Sequence, residues 1–198
     1  MRIGFDFDNT IVSYDTLFHK VALEQGVIHA SIPQSKLAVR DHLRAQNKEE
    51  IWTAMQGYVY GARMDEAQAY PHVFSVMQSL KNQGHTLAIM SHKTKYPYLG
   101  ERYDLHTAAR QWIKKYLCIE NVPLIAEENI YFELTKEEKL QRITQFHCDY
   151  FIDDLPEILL APQFPQETKR LLFDPESQHD YREKLTVISS WLALEKLL

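Results

Sequence analysis

Five short apolar segments, RIGFDF (2–7), HTLAIM (85–90), NIYFEL (129–134), CDYFID (148–153) and KRLLFD (169–174), punctuate a chain of 198 residues. From the second to the fifth, amphipathic stretches stand between them. That alternation is the pattern of an α/β protein with a largely parallel sheet. Helices are expected at 71–83, 104–116, 136–147 and 178–197. In the third, Leu140, Ile143 and Phe146 recur at three-residue spacing beside polar Lys139, Arg142 and Gln145. Pro71 suits the first turn of its helix, where a fixed φ and a missing N–H cost nothing. APQFPQET (161–168) reads as an extended surface connection.

The stretch from Ser13 to Tyr70 breaks the alternation. It contains no strand-like run, and its helices, at about 15–26, 33–45 and 48–66, sit between the first two strands. A crossover between parallel strands needs only about a dozen residues. The expected organisation is therefore a core of residues 1–12 and 71–198 with a helical insertion at 13–70 standing over the sheet. A longer helical layer of the same domain is the alternative.

Composition narrows the partners. The chain is 45% hydrophobic, enough for a sizeable core, which excludes fibrous and disordered classes. With 27 acidic against 22 basic residues there is no basic field to hold a nucleic-acid backbone. A few lysines in one cleft can still bind a small phosphorylated metabolite. Cys118 and Cys148 lie in ordinary apolar settings, so no structural disulfide and a reducing compartment are expected. Residues 1–20 lack the order of a signal peptide, and no run approaches the roughly 18 apolar residues that span a bilayer. The expectation is a cytoplasmic monomer or homodimer with no membrane partner.

Candidate chemistry gathers where strands end. FDFDNT places Asp6 and Asp8 two positions apart, so both side chains can leave the first strand on one side, at the C-terminal edge where open parallel sheets bind ligands. Asn9 and Thr10 either cap the next helix or hold phosphate oxygens. FIDDLPE places Asp153, Asp154 and Glu157 after another strand. Carboxylates crowded in this way repel, but a hard divalent cation turns the crowding into a site, and magnesium is the economical choice. Acidic solvated loops would explain either cluster alone, not why both follow strands.

DFDNT resembles the opening D-x-D-x-[TV] motif of the haloacid dehalogenase-like superfamily, phosphatase branch. Ser91 closing LAIMS, a lysine at 136 or 139 and the pair Asp153-Asp154 are similar to its later motifs, over residues 1–12 and about 71–174. The resemblance implies a three-layer Rossmann-like core, with the insertion at 13–70 as a small helical cap. It implies Asp6 as the nucleophile that forms an aspartyl phosphate and Asp8 as general acid and base. Ser91 would donate to a phosphate oxygen. Lys139, inside a readable helix, has a better claim than Lys136 to hold the phosphate. Magnesium would be held by Asp6 and the Asp153-Asp154 pair, with Asp8 turning its backbone carbonyl to the metal. Glu157 either orients water or a lysine, or is a first-turn helix residue.

His92, Lys93 and Lys95 could receive the rest of an anionic substrate, with Lys93 and Lys95 forming simply an exposed loop as the alternative. Arg102, Tyr103 and His106 are weaker candidates, since YDLHTAARQWIKKYL also reads as a helix with Leu105, Ala109 and Trp112 facing the core. Tyr14, Phe18, His19, Arg40, Arg44, Trp52, Tyr58 and Tyr60 offer apolar and polar material for the insertion, and most of the aromatics among them are expected to form its interior. The implied activity is magnesium-dependent hydrolysis of a small phosphomonoester, such as a sugar phosphate or nucleotide. A phosphomutase, a polynucleotide end-phosphatase and a nonenzymatic phosphate- or metal-binding module are the alternatives.

Overall fold

The computed structural model describes residues 1–178, 180–181 and 183–198. Its strands are β1 (Arg2–Phe5), β2 (Val12–Ser13), β3 (Gln68–Ala69), β4 (Thr86–His92), β5 (Cys118–Ile119), β6 (Val122–Pro123), β7 (Ile130–Glu133), β8 (Tyr150–Asp153), β9 (Lys169–Phe173) and β10 (Thr186–Ile188). Its helices are α1 (Asp15–Glu24), α2 (Lys36–Ala45), α3 (Glu49–Tyr60), α4 (Val73–Asn82), α5 (Leu105–Tyr116), α6 (Lys136–Phe146), α7 (Pro156–Leu159) and α8 (Trp191–Leu197). Two compact units result. One comprises Met1–Val12, Ala69–Lys93 and Leu117–Leu198, and the other Ser13–Gln68 and Thr94–Tyr116. The residues from Thr94 to Tyr116, which the sequence reading kept in the continuous stretch 71–198, thus group with the helical unit.

The first unit is built on a six-stranded sheet of order β10-β9-β8-β1-β4-β7, parallel throughout. Alternation along the strands sorts side chains to two faces. On one face Ala88, Met90, Phe151 and Leu172 pack with Leu140 and Ile143 of α6 and Ile158 and Leu159 of α7. On the other, Phe5 stacks on Trp191 of α8 with ring centroids 5.2 Å apart, and α4 packs against α8 and β4. This is a helix–sheet–helix sandwich. Gly4 makes it possible at β1, because a Cβ there would lie 2.6 Å from the Phe151 ring and 2.9 Å from the Cys148 sulfur. Both cysteines are free thiols.

Two expectations are corrected. The stretch 178–197 is not one helix: Thr186–Ile188 pairs parallel to β9 as an edge strand, and the helix spans only Trp191–Leu197. Three residues with β-branched side chains in succession favour the extended chain, and Ser190 then caps α8 by accepting from the Ala193 amide at 3.2 Å. His179 and Arg182, within that expected helix, lie outside the described residues. Pro71 is not in the first turn of α4, because His72, in the left-handed region at φ 68°, separates it from Val73.

In the helical unit, Tyr14, Phe18 and Trp52 are buried, as expected of its interior. Phe18 packs on Trp52 and Tyr60 with ring centroids 4.8 and 5.6 Å apart. Segment 94–116 is tied in by Trp112, whose indole N–H donates to the Ala67 carbonyl at 2.8 Å. Gly57 lets Pro97 approach where any side chain would collide. Among the described residues no helix is long and apolar enough to cross a membrane.

Candidate active site

The site forms where β1, β4 and β8 end together. Phe5 lies opposite Ile89 of β4 and Ile152 of β8, and the Asp6 amide continues the ladder onto the Ile152 carbonyl at 2.8 Å. Residues at or just beyond the C-terminal ends of the three strands therefore converge. The chain then turns tightly: the amides of Ile11 and Val12 both donate to the Phe7 carbonyl at 3.1 Å, and Asn9 takes a left-handed φ of 60°. Asn9 and Thr10 do not cap α1, whose cap position is Tyr14. The Thr10 hydroxyl is buried with no hydrogen-bond partner among the described residues.

Asp6 is 4% exposed, and one of its oxygens, Oδ1, accepts from Ser91 Oγ at 2.9 Å and from Lys139 Nζ at 2.6 Å. Lys139 reaches there because the start of α6 is pinned by a capping box. Thr135 accepts from the Glu138 amide at 3.1 Å, while the Glu138 carboxylate takes the Thr135 amide at 3.0 Å. One turn later Lys139 leaves the helix on its sheet-facing side, 1% exposed, and also donates to Asp153 Oδ2 at 2.6 Å. The other Asp153 oxygen accepts the Leu155 amide at 2.9 Å, closing the turn after β8.

Burial pushes the Asp6 carboxyl up, to about 7, Asp153 and Asp8 reinforce the rise, and Lys139 opposes it. Burial also works against the Lys139 charge, yet the carboxylates of Asp153 and Asp6 hold its ammonium above its ordinary value. Lys139 bridges Asp6 and Asp153, and Asp6, Asp153 and Asp154 each offer an oxygen, all within 4.8 Å of one another. An all-oxygen set of this kind fits a hard divalent cation.

Asp8 stands apart from that trio. Its carboxylate accepts from Lys93 Nζ with both oxygens, at 2.9 and 2.7 Å. Lys93 is 5% exposed, so the exposed-loop reading is wrong for this residue, whereas Lys95 does lie on the surface. His92 is half-buried with Nε2 3.1 Å from the Leu134 carbonyl, and burial lowers its pKa, favouring a neutral ring that donates from Nε2. Of the two candidate lysines, Lys139 meets Asp6. Lys136 is exposed and pairs with Glu157 at 2.6 Å, and Glu157 follows Pro156 in the first turn of α7. Arg102, Tyr103 and His106 belong to the other unit, where Arg102 lies over the Tyr96 ring at 4.1 Å. The bond from Lys93 to Asp8 was missed in the sequence. Its signal was the two-residue spacing of Ser91 and Lys93, which repeats that of Asp6 and Asp8.

No family model matches the chain. Two relatives align along most of it. A Bacillus cereus protein named "Putative nucleotidase" is 24% identical over 168 residues, covering 80% of this chain and 79% of its own. A protein of the same description from Oceanobacillus iheyensis is 21% identical over 198 residues, covering 96% and 95%. Among solved structures, a haloacid dehalogenase-like family hydrolase from Streptococcus pneumoniae superposes with a TM-score of 0.64 at 17% identity, covering 99% of this chain and 97% of that one. The "putative HAD-hydrolase YfnB" of Bacillus subtilis, bound to magnesium, gives 0.60 at 15% identity and covers 100% and 97%.

Proposed function

We propose that this chain, which has the fold of the haloacid dehalogenase-like hydrolases, is a magnesium-dependent phosphomonoester hydrolase that works through an aspartyl phosphate. The observation that carries the reading is the Asp6 carboxylate, buried at a strand exit with Ser91 Oγ and Lys139 Nζ on one oxygen and two further carboxylates beside it. The other Asp6 oxygen is the nucleophile. An ordinary carboxylate is a weak nucleophile, and alignment with a neutralised phosphate is what makes it effective.

In the first step an Asp6 oxygen bonds to phosphorus, the bond from phosphorus to the ester oxygen breaks, and Asp8 gives its proton to the departing oxygen. In the second step Asp8 takes a proton from water as the water oxygen bonds to phosphorus and the Asp6–phosphorus bond breaks. The net change is ester plus water to alcohol plus phosphate. Ser91 and Lys139 orient Asp6 and hold the nonbridging phosphate oxygens. Asp6, Asp153 and Asp154 would hold magnesium, which when bound neutralises phosphate charge. Asn9, Thr10 and His92 border the phosphate position, and the helical insertion, expected at 13–70, is the cap that selects the substrate.

The substrate class is a small phosphorylated metabolite. Nucleoside monophosphates come first among them, because both curated relatives carry nucleotidase in their names. The test is phosphate release from a panel of nucleotides, sugar phosphates and small phosphorylated acids, with and without magnesium. Turnover that needs magnesium and disappears in Asp6→Asn is the expected result. Full turnover by Asp6→Asn, or none by the unaltered protein on any ester, would reject the reading.

A further inference from the structure

Each carboxylate leaving β1 is met by a donor from the end of β4, and the two pairs share one offset in sequence. Ser91 serves Asp6 and Lys93 serves Asp8, 85 residues apart in both cases. The match follows from the parallel register of β1 and β4, in which a step of two along one strand is answered by a step of two along the other. Lys93 is firmly placed. Its backbone amide donates to the Glu133 carbonyl at 2.8 Å, its side chain is 4% exposed, and its ammonium lies over the Phe7 ring at 5.8 Å.

Lys93 directs its ammonium at both oxygens of the Asp8 carboxylate, while the lysine at the nucleophile is Lys139. We infer that Lys93 is a positioning residue for proton transfer: it fixes the orientation of the Asp8 carboxyl, so that the same oxygen meets the departing ester oxygen and then the attacking water. The inference rests on the reading of Asp8 given above and adds the group through which that role is set. Proton transfer by a positioned side chain contributes roughly 10²–10⁴-fold, and misorienting Asp8 forfeits part of that factor.

The test compares esters that differ in their need for a proton. The departing oxygen of p-nitrophenyl phosphate leaves readily as an anion, whereas that of a nucleoside 5′-monophosphate or of glycerol phosphate must be protonated. In Lys93→Met, kcat/KM for the alkyl esters falls by about 10²-fold, while that for p-nitrophenyl phosphate falls by less than about tenfold and KM changes little. Lys93→Arg recovers part of the loss. In an Asp8→Asn background, adding Lys93→Met has no further effect on residual p-nitrophenyl phosphate turnover, as coupling through one carboxylate requires.

Equal losses on both kinds of ester, with weaker inhibition by inorganic phosphate, would make Lys93 a phosphate ligand and overturn the inference. Losses that multiply with Asp8→Asn would overturn it as well. If Lys93→Met alone does not fold, the double variant, which leaves no charge unmatched at this pair, still supplies the comparison with Asp8→Asn. Absence of turnover on every ester by the unaltered protein would remove the reading of the site and this inference together.

Discussion

Lys139 and Arg63 each bridge two carboxylates, in opposite settings. Lys139 has 1% of its side chain exposed and lies 2.6 Å from both Asp6 and Asp153, whose side chains are 6% and 0% exposed. Arg63, in the helical unit, holds Glu24 at 2.7 Å and also pairs with Glu66, and these acids are 45% and 34% exposed. The surface trio needs little explanation, since its two carboxylates stay partly in water and the planar guanidinium of Arg63, whose side chain is 16% exposed, fits both. The buried trio is costly: several kcal/mol of desolvation per ion stand against the attraction, and well-packed apolar residues of similar volume would serve stability as well. The chemistry proposed for Asp6 accounts for such a trio where stability does not.

The sharpest way to break this contrast is Lys139→Met. It leaves Asp6 and Asp153 buried without their cation, and a destabilisation of about 3–5 kcal/mol is expected in metal-free urea titration. Added magnesium should recover part of it, since a ligand bound only by the folded state stabilises that state. A loss below about 1 kcal/mol would place Lys139 in the same class as the surface pairs.

Next in size is the packing that lets β1 carry the site. Gly4→Ala forces a methyl toward the Phe151 ring and the Cys148 sulfur and should cost about 1–3 kcal/mol. No loss in the unfolding midpoint would show that the sheet face has slack beneath Asp6. Smaller still is Thr135→Ala, which removes the cap that sets the start of α6 and should cost about 1 kcal/mol. If the Lys139 position depends on that cap, kcat falls together with stability.

The smallest effect belongs to the helical unit. Arg63→Met should shift the unfolding midpoint several-fold less than Lys139→Met, and less again in high salt. The hydrogen bond from Arg63, aided by Lys20, holds Glu66 down to about 2 from its ordinary 4.5. Its contribution is therefore complete above about pH 4.5 and is lost as pH falls toward 2. A midpoint that falls as pH rises across that window in the unaltered protein, but not in Arg63→Met, would have the wrong sign.

Much of the fold was legible because it rests on local pattern. Five apolar runs became sheet strands, and the three-residue recurrence of Leu140 and Ile143 marked the buried face of α6. The sixth strand was hidden, because Thr186–Ile188 is only three residues long and runs into a helix that is itself short. The carboxylates of the site announced themselves by following strands. Their partners Ser91 and Lys139 were named through the resemblance, whereas the bridge from Lys139 to Asp153 emerges only once the helix is placed against the sheet. Lys93 was open to reading as a loop lysine because its bond to Asp8 depends on the register of two strands far apart in sequence. The grouping of 94–116 with the helical unit was likewise hidden, because it depends on contacts such as Trp112 with Ala67 that no periodicity reveals.

The central claim is that Asp6 makes and breaks the bond to phosphorus. Acid quenching during turnover of a nucleoside monophosphate or sugar phosphate with magnesium, followed by mass spectrometry of the peptide containing Asp6, tests it directly. The account predicts a phosphoryl group on Asp6 that accumulates in Asp8→Asn, where its hydrolysis is slowed, and is absent from Asp6→Asn. Turnover at full rate with the phosphoryl group on another residue, or on none, would contradict it.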